Sequence, residues 1–230
     1  FEIISNYCNT QNPIVYSLVF TDINSSLTLN LDKYQGIKIY DVEDCYSTDE
    51  VINVIKYFNY SHILYKYNCV QMNYIKNECK NVEFINFEHY VDNNIFKKKD
   101  TKKDIDILLY GNISDFYPFR NRLLNIFNKC ENIVFKYIEH PGFGDRTQCK
   151  YEPIINDNLA DIINRSHITI CTCSIFNYKV KKYIEVPLCN SVLCGNYPNL
   201  EKEIFNENEM ILLKEEWGDN DIKDCVLESL

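Results

Sequence analysis

Glycine and proline are scarce in these 230 residues, six of each, and there is one tryptophan. That scarcity excludes a collagen-like or low-complexity linker chain. No apolar run approaches the roughly 18 residues of a membrane-spanning helix. The opening residues F-E-I-I-S-N-Y have neither a basic n-region nor an apolar h-region, so no secretory leader is expected. The eleven cysteines are odd in number and contain no C-x-x-C pair. A disulfide framework and a zinc-ribbon spacing are therefore not expected, and the thiols read as reduced and mostly buried in an intracellular, cytoplasmic protein. The dinucleotide fingerprint G-x-G-x-x-G is absent. A surplus of basic residues is missing as well: the formal net charge is −9, which argues against nucleic acid as a partner.

What is present is a globular composition, 46% hydrophobic and 25% charged, enough for a sizeable core. The abundance of Asn, Ile, Tyr and Lys fits an A/T-rich genome of viral or parasite type. Charge is unevenly spread. All four arginines (Arg120, Arg122, Arg146, Arg165) lie in the middle block, and the last thirty residues are strongly acidic. One or two well-placed cations are enough to hold a small phosphate-bearing ligand.

Strand-like and helix-like segments alternate. Strands are expected at 14–20, 37–41, 62–67 and 82–86. Helices are expected at 48–58, where Ser47 and Glu50 form a capping-box pattern, and at 69–79. The lysine run K-K-K-D-T-K-K (97–103) reads as a linker, so the domains are expected at 1–97 and 104–230. The second half begins with D-I-D-I-L-L-Y-G (104–111), an apolar strand stopped by glycine. A helix follows at 116–129, a strand at 132–138, a helix at 157–164 and a strand at 167–173. A helix over 178–189, strands at 191–195 and 209–213, and a helix at 219–228 complete the pattern. Strands joined by helices imply parallel sheets, whose ligands sit beyond the C-terminal strand ends.

Three segments fall at such ends. After strand 104–110, Gly111 and Asn112 allow a ligand close to the backbone, and the N-terminus of the next helix, which carries Arg120 and Arg122, can face an anion. A surface helix with solvated arginines explains the same residues. In E-H-P-G-F-G-D-R (139–146), His140 suits a phosphate or sugar contact, while Pro141, Gly142 and Gly144 are ordinary turn chemistry. In N-Y-K-V-K-K-Y-I-E-V-P-L (177–188), Val180, Ile184, Pro187 and Leu188 form an apolar face opposite Lys181 and Glu185. Either the latter two are an exposed i,i+4 pair, or Glu185 serves a ligand. The second reading rests on Pro187 ending the helix, which puts Glu185 in a last turn unfavourable to a carboxylate.

These stretches resemble the GT-B glycosyltransferase superfamily, in its group-1-like and CgeB-like branches. N-Y-K-V-K-K-Y-I-E-V-P-L-C-N-S-V-L-C-G-N looks like the donor-nucleotide segment, F-E-H-Y-V-D-N-N-I-F like the interdomain stretch, D-I-L-L-Y-G-N like the first donor-domain strand, and I-E-H-P-G-F-G like the H-P-G loop. The likeness runs over about residues 82–217. It implies an α/β, GT-B-like fold of two Rossmann-like domains, the first on the acceptor side and shortened, with parallel sheets facing a cleft. It implies a nucleoside-diphosphate sugar donor (UDP- or GDP-linked) and a glycan or protein acceptor, with no bound metal or other cofactor. Glu185 would hold the ribose, and Gly111 and Asn112 would lie near the diphosphate. Arg120, His140 and Lys182 would be anion partners, with Ser174 and Tyr178 lining the same donor site. The sequence departs from the family pattern in three ways: Asn177 stands where a second acid is expected, Leu188-Cys189-Asn190 replaces the usual small residues, and the first domain is short. The expected activity is sugar transfer to an acceptor hydroxyl. Asp22, Asp41, Asp44 and His62 are unranked candidates for its base. A degenerate fold that binds without turnover is the alternative, and a doubly wound protein with other phosphate chemistry is a third.

Overall fold

The computed structural model describes residues 15–18, 36–141, 154–198, 205 and 209–230. The chain divides into two compact units, Phe1–His89 and Tyr90–Leu230, and each contains one all-parallel sheet.

In the first unit, strands β1 (Val15–Leu18), β2 (Lys38–Val42), β3 (His62–Tyr65) and β4 (Glu83–Asn86) lie side by side in chain order. Helix α1 (Thr48–Phe58) joins β2 to β3, and α2 (Val70–Glu78) joins β3 to β4. Helix α1 buries Val51, Ile52, Val54, Ile55 and Phe58, the stripe its 3.6-residue period demands. It starts where the Ser47 signal places it, but the Ser47 side chain makes no capping hydrogen bond. Packing of the apolar stripe holds the helix.

In the second unit the strands are β5 (Ile105–Gly111), β6 (Phe135–Glu139), β7 (Ser166–Ile170), β8 (Val192–Gly195) and β9 (Ile211–Leu212), in spatial order β6-β5-β7-β8-β9. Four helices accompany them: α3 (Pro118–Phe127), α4 (Asn156–Asn164), α5 (Lys182–Leu188) and α6 (Asp219–Leu227). Strand β5 is the anchor. Ile107, Leu108 and Leu109 are completely buried, and each such side chain contributes about 1.5–3 kcal/mol. Its two faces serve two cores. Ile105, Leu108 and Tyr110 pack with Tyr183, Val186 and Cys189, while Ile107 and Leu109 pack with Phe119, Leu123 and Phe127. The helix expected from 116 begins at Pro118, and Phe116 ahead of it is 49% exposed.

The lysine run is not a loose linker. Phe96 before it is buried in the second unit's core. The Lys99 amide donates to Asn164 Oδ1 (2.7 Å), and the Lys103 ammonium donates to the carbonyls of Ser166 (2.6 Å) and Asn190 (2.8 Å). A long cationic side chain finds carbonyl acceptors at element ends, a contact that composition does not reveal. Nine cysteines are described, all of them free thiols. Among the described residues no helix is long and apolar enough to cross a membrane.

Candidate functional site

Strand order reverses in the second sheet at β5, which pairs with β6 on one side and β7 on the other. The crevice beyond the C-terminal ends of β5 and β7 is therefore the topological switch point, where open parallel sheets take their ligands. Gly111 ends β5 there with φ of +113°. A Cβ at this position would come within 2.3 Å of Lys182 Nζ and 3.2 Å of Arg120 Nη1. The glycine therefore leaves room for two cations and adopts a backbone conformation that L side chains rarely take.

Helix α5 brings Lys182. Its fully buried residues Tyr183 and Val186, with Cys189 just past its end, fix it against β5 and the segment after β7. Three of the expected apolar-face residues behave differently: Leu188 is 37% exposed, Pro187 is exposed and Ile184 is half-buried. Pro187 does not end the helix; it lies inside it, and α5 begins only at Lys182. Glu185 is therefore in the first turn, where the macrodipole favours a carboxylate. Glu185 therefore carries no last-turn penalty. Nor is Glu185 half of an exposed pair with Lys181. Its Oε2 accepts a hydrogen bond from the Tyr110 hydroxyl (2.7 Å).

Lys182 and Glu185, three apart on one side of α5, are both tied to Tyr110. The Lys182 ammonium donates to the Tyr110 carbonyl and lies over the Tyr110 ring, 4.2 Å from its centroid. Burial, followed by the nearby Arg120 charge, pushes the Lys182 pKa down to about 7. Burial raises that of Glu185, against the opposing pull of the Tyr110 hydrogen bond and of Lys182.

Arg120 is 3% exposed and ties the segment after β5 to the segment after β7. Its Nη1 donates to the Asn112 carbonyl (2.9 Å), and its Nε and Nη2 donate to the Thr172 hydroxyl (3.2 Å) and carbonyl (3.1 Å). The Tyr117 ring lies 3.8 Å from the guanidinium. Three of its five N–H donors are thus spent on the protein. The helix N-terminus expected to face an anion begins with Pro118, which has no N–H to offer.

The other expected residues spread more widely. Asn112 is at the crevice, with its side chain 3.4 Å from the Ser114 hydroxyl. Ser174 and Tyr178 lie in the segment after β7 and are buried. The Ser174 hydroxyl accepts the Phe176 amide (3.3 Å). His140 follows β6 and is half-buried; the glycines of its loop, 142 and 144, lie outside the described residues. Arg122 does not approach the crevice. It donates to Asp219 (2.7 Å) and to the Glu215 and Trp217 carbonyls.

In the first unit, Asp41 is 3% exposed and ion-paired with Lys66 (2.9 Å). Asp44 is exposed beyond β2. His62 opens β3, at the sheet edge opposite the C-terminal strand ends, within 2.8 Å of the Ser61 hydroxyl and 3.2 Å of Glu83. Asp22 lies outside the described residues.

Sequence reasoning missed Tyr110, Thr172 and Asn196. Asn196 ties the ends of three strands together: it accepts from the Cys173 amide (3.1 Å), donates to Glu215 (2.6 Å) and takes the Tyr183 hydroxyl on its carbonyl (2.6 Å). Only their position one or two residues from strand ends marked them in the sequence.

No family model and no curated protein matches this sequence. Solved structures do. HepE of Anabaena, determined in complex with UDP-glucose, superposes with a TM-score of 0.66 at 11% identity, over 99% of this chain and 73% of HepE. A structure of accessory secretory proteins 1, 2 and 3 from Streptococcus pneumoniae matches with a TM-score of 0.51 at 10% identity, over 99% of this chain and 52% of that one. The fold is GT-B-like. Within this GT-B-like architecture, Gly111, Lys182, Glu185 and Tyr110 meet at the switch point of the second sheet. No cluster of three or more metal-ligating side chains occurs among the described residues.

Proposed function

We propose that the protein binds a nucleoside-diphosphate sugar at the second unit's switch point and transfers the sugar to an acceptor hydroxyl without a metal. One observation carries this reading: a cation and a carboxylate, Lys182 and Glu185, are anchored on Tyr110 beside a glycine whose missing side chain leaves room for the Lys182 and Arg120 cations. In this proposal Lys182 meets the diphosphate and stabilises charge on the leaving group. Glu185 accepts the ribose hydroxyls. The second unit is assigned the donor and the first unit the acceptor, a glycan or a protein. The likeness to HepE, solved with UDP-glucose, supports the choice of UDP as first ligand to test.

Calorimetry against UDP and GDP tests the donor site. Glu185→Ala is expected to weaken nucleotide affinity by about 1–3 kcal/mol, the scale of leaving polar groups unpaired. Unchanged affinity would overturn the placement of the ribose.

A second reading, a module that binds a nucleotide sugar or a partner without turnover, is favoured by one specific observation. Asp41, the buried acid among the described candidate bases, is ion-paired with Lys66. Release of free sugar or transfer to an added acceptor from a UDP-sugar supports the transferase. Binding with no turnover of any donor supports the module.

A further inference from the structure

The nucleotide-sugar reading uses Lys182 and Glu185 but leaves a question open: what holds them. Helix α5 is only seven residues long, and its N-cap, Lys181, makes no side-chain capping bond. A helix this short is weakly self-supporting, and the lysine and glutamate side chains each carry several rotatable bonds. Orienting them takes a rigid third group.

Tyr110 meets that need in three ways. Its hydroxyl donates to Glu185 Oε2 (2.7 Å). Its ring lies under the Lys182 ammonium (4.2 Å), and its carbonyl accepts from the same ammonium. The ring is 6% exposed and packs in the core with Leu108, Tyr183 and Cys171, so it has little freedom to swing. A buried phenol requires a polar partner, and among the described residues Glu185 is the one its hydroxyl finds. Oε2 of Glu185 is thereby occupied, while Oε1 has no hydrogen-bond partner among the described residues.

We infer that Tyr110 is the positioning residue of this site: resting on the nucleotide-sugar reading, it holds the Glu185 carboxylate and the Lys182 ammonium in the orientation that receives a nucleoside diphosphate. It acts through those two side chains rather than on the ligand. The groups that bear on Glu185 are the Tyr110 hydroxyl from β5, Lys182 from α5 and Lys181 at its N-cap; Glu185 in turn raises the pKa of the Cys171 and Cys189 thiols, and Arg120 acts on Lys182. Of these, the Tyr110 hydroxyl is the one that donates a hydrogen bond to the carboxylate. Its removal raises the Glu185 pKa further, because a donated hydrogen bond favours the ionised form.

The test is Tyr110→Phe, which keeps the ring and the backbone carbonyl. UDP affinity is measured by calorimetry from pH 5 to pH 9, and Glu185 is titrated by carboxyl-carbon NMR in the ligand-free protein. The expected result is about tenfold weaker UDP binding at pH 7. The acid limb of the affinity profile and the Glu185 titration should both move to higher pH. A role in packing alone would lower stability and leave both where they are, which would overturn the inference. If the wild-type protein binds no UDP, the donor assignment fails for that nucleotide, and the ligand-free titration still decides the role of Tyr110. Should Tyr110→Phe not fold, Glu185→Gln keeps an acceptor for the hydroxyl without the charge. It is expected to abolish the part of the acid limb that exceeds the titration of the UDP terminal phosphate itself (second pKa about 6), and a limb unchanged from wild type would count against the inference.

Discussion

Each of the two sheets holds a lysine and an acid near its C-terminal strand ends, and the two pairs are built differently. In the first unit, Asp41 and Lys66 form an ion pair: both are buried, the ammonium donates to Asp41 Oδ2 (3.1 Å) and lies 2.9 Å from Oδ1, and the Phe87 ring lies 4.6 Å from the same ammonium. In the second unit, Lys182 and Glu185 form no ion pair with each other among the described residues; each is tied to Tyr110. A pair that closes on itself has its charge neutralised and little left for a ligand. Two charges held apart by a neutral anchor keep most of their capacity, at the cost of displaced pKa values. The first arrangement is structural; in the proposed function a ligand completes the second.

The comparison is broken most directly at the closed pair. Lys66→Ala removes the buried cation paired with Asp41 and is expected to destabilise the protein by about 3–5 kcal/mol, read as a shifted midpoint in urea unfolding. UDP affinity of the folded fraction should not change. If Lys66→Ala were benign for stability yet damaging to UDP binding, the two roles would be reversed. Next in size is Gly111→Ala, which forces an alanine to φ near +113° against the Lys182 ammonium. The expected loss is about 1–3 kcal/mol of stability, together with loss of detectable UDP binding. A variant of normal stability and affinity would show that nothing approaches the backbone there.

The smallest effect is one of pH. In the ligand-free fold the Lys182 pKa lies near 7, and an anion binds its protonated form. Below pH 7 the proton is already present. Above it, binding must take up a proton, so UDP affinity should fall by up to about tenfold per pH unit. Lys182→Met should flatten that limb. Stability of the ligand-free protein should run the other way. Charging Lys182 opposes folding, and that penalty, complete below pH 7, lifts as pH rises toward the ordinary lysine value of 10.5.

Much of the fold was legible because its signals are local. D-I-L-L-Y-G announces a buried strand by its apolar run and terminal glycine, and the strand forms where expected. The alternation of helix and strand predicts parallel pairing, and every described strand pair is parallel. Element ends were less legible. The helix expected over 178–189 shrinks to Lys182–Leu188, because helix starts are set by packing as much as by propensity. The lysine run misled for a similar reason, since charge suggests solvent exposure while long lysine stems reach carbonyls across the surface of the unit.

At the candidate site, the sequence by itself determined the residue types and their order: a glycine closing the first strand of the second unit, a lysine and a glutamate three apart on a later helix, and cations in the middle of the chain. The tertiary structure alone decided which of them meet. It spent Arg120 on bracing Asn112 to Thr172, Arg122 on Asp219 and Asp41 on Lys66, and it brought Lys182 and Glu185 to Tyr110 from more than seventy positions away in the chain. The physical reason is that hydrogen-bond partners of buried polar groups are fixed by where elements pack, and packing across a parallel sheet joins residues that no local pattern links.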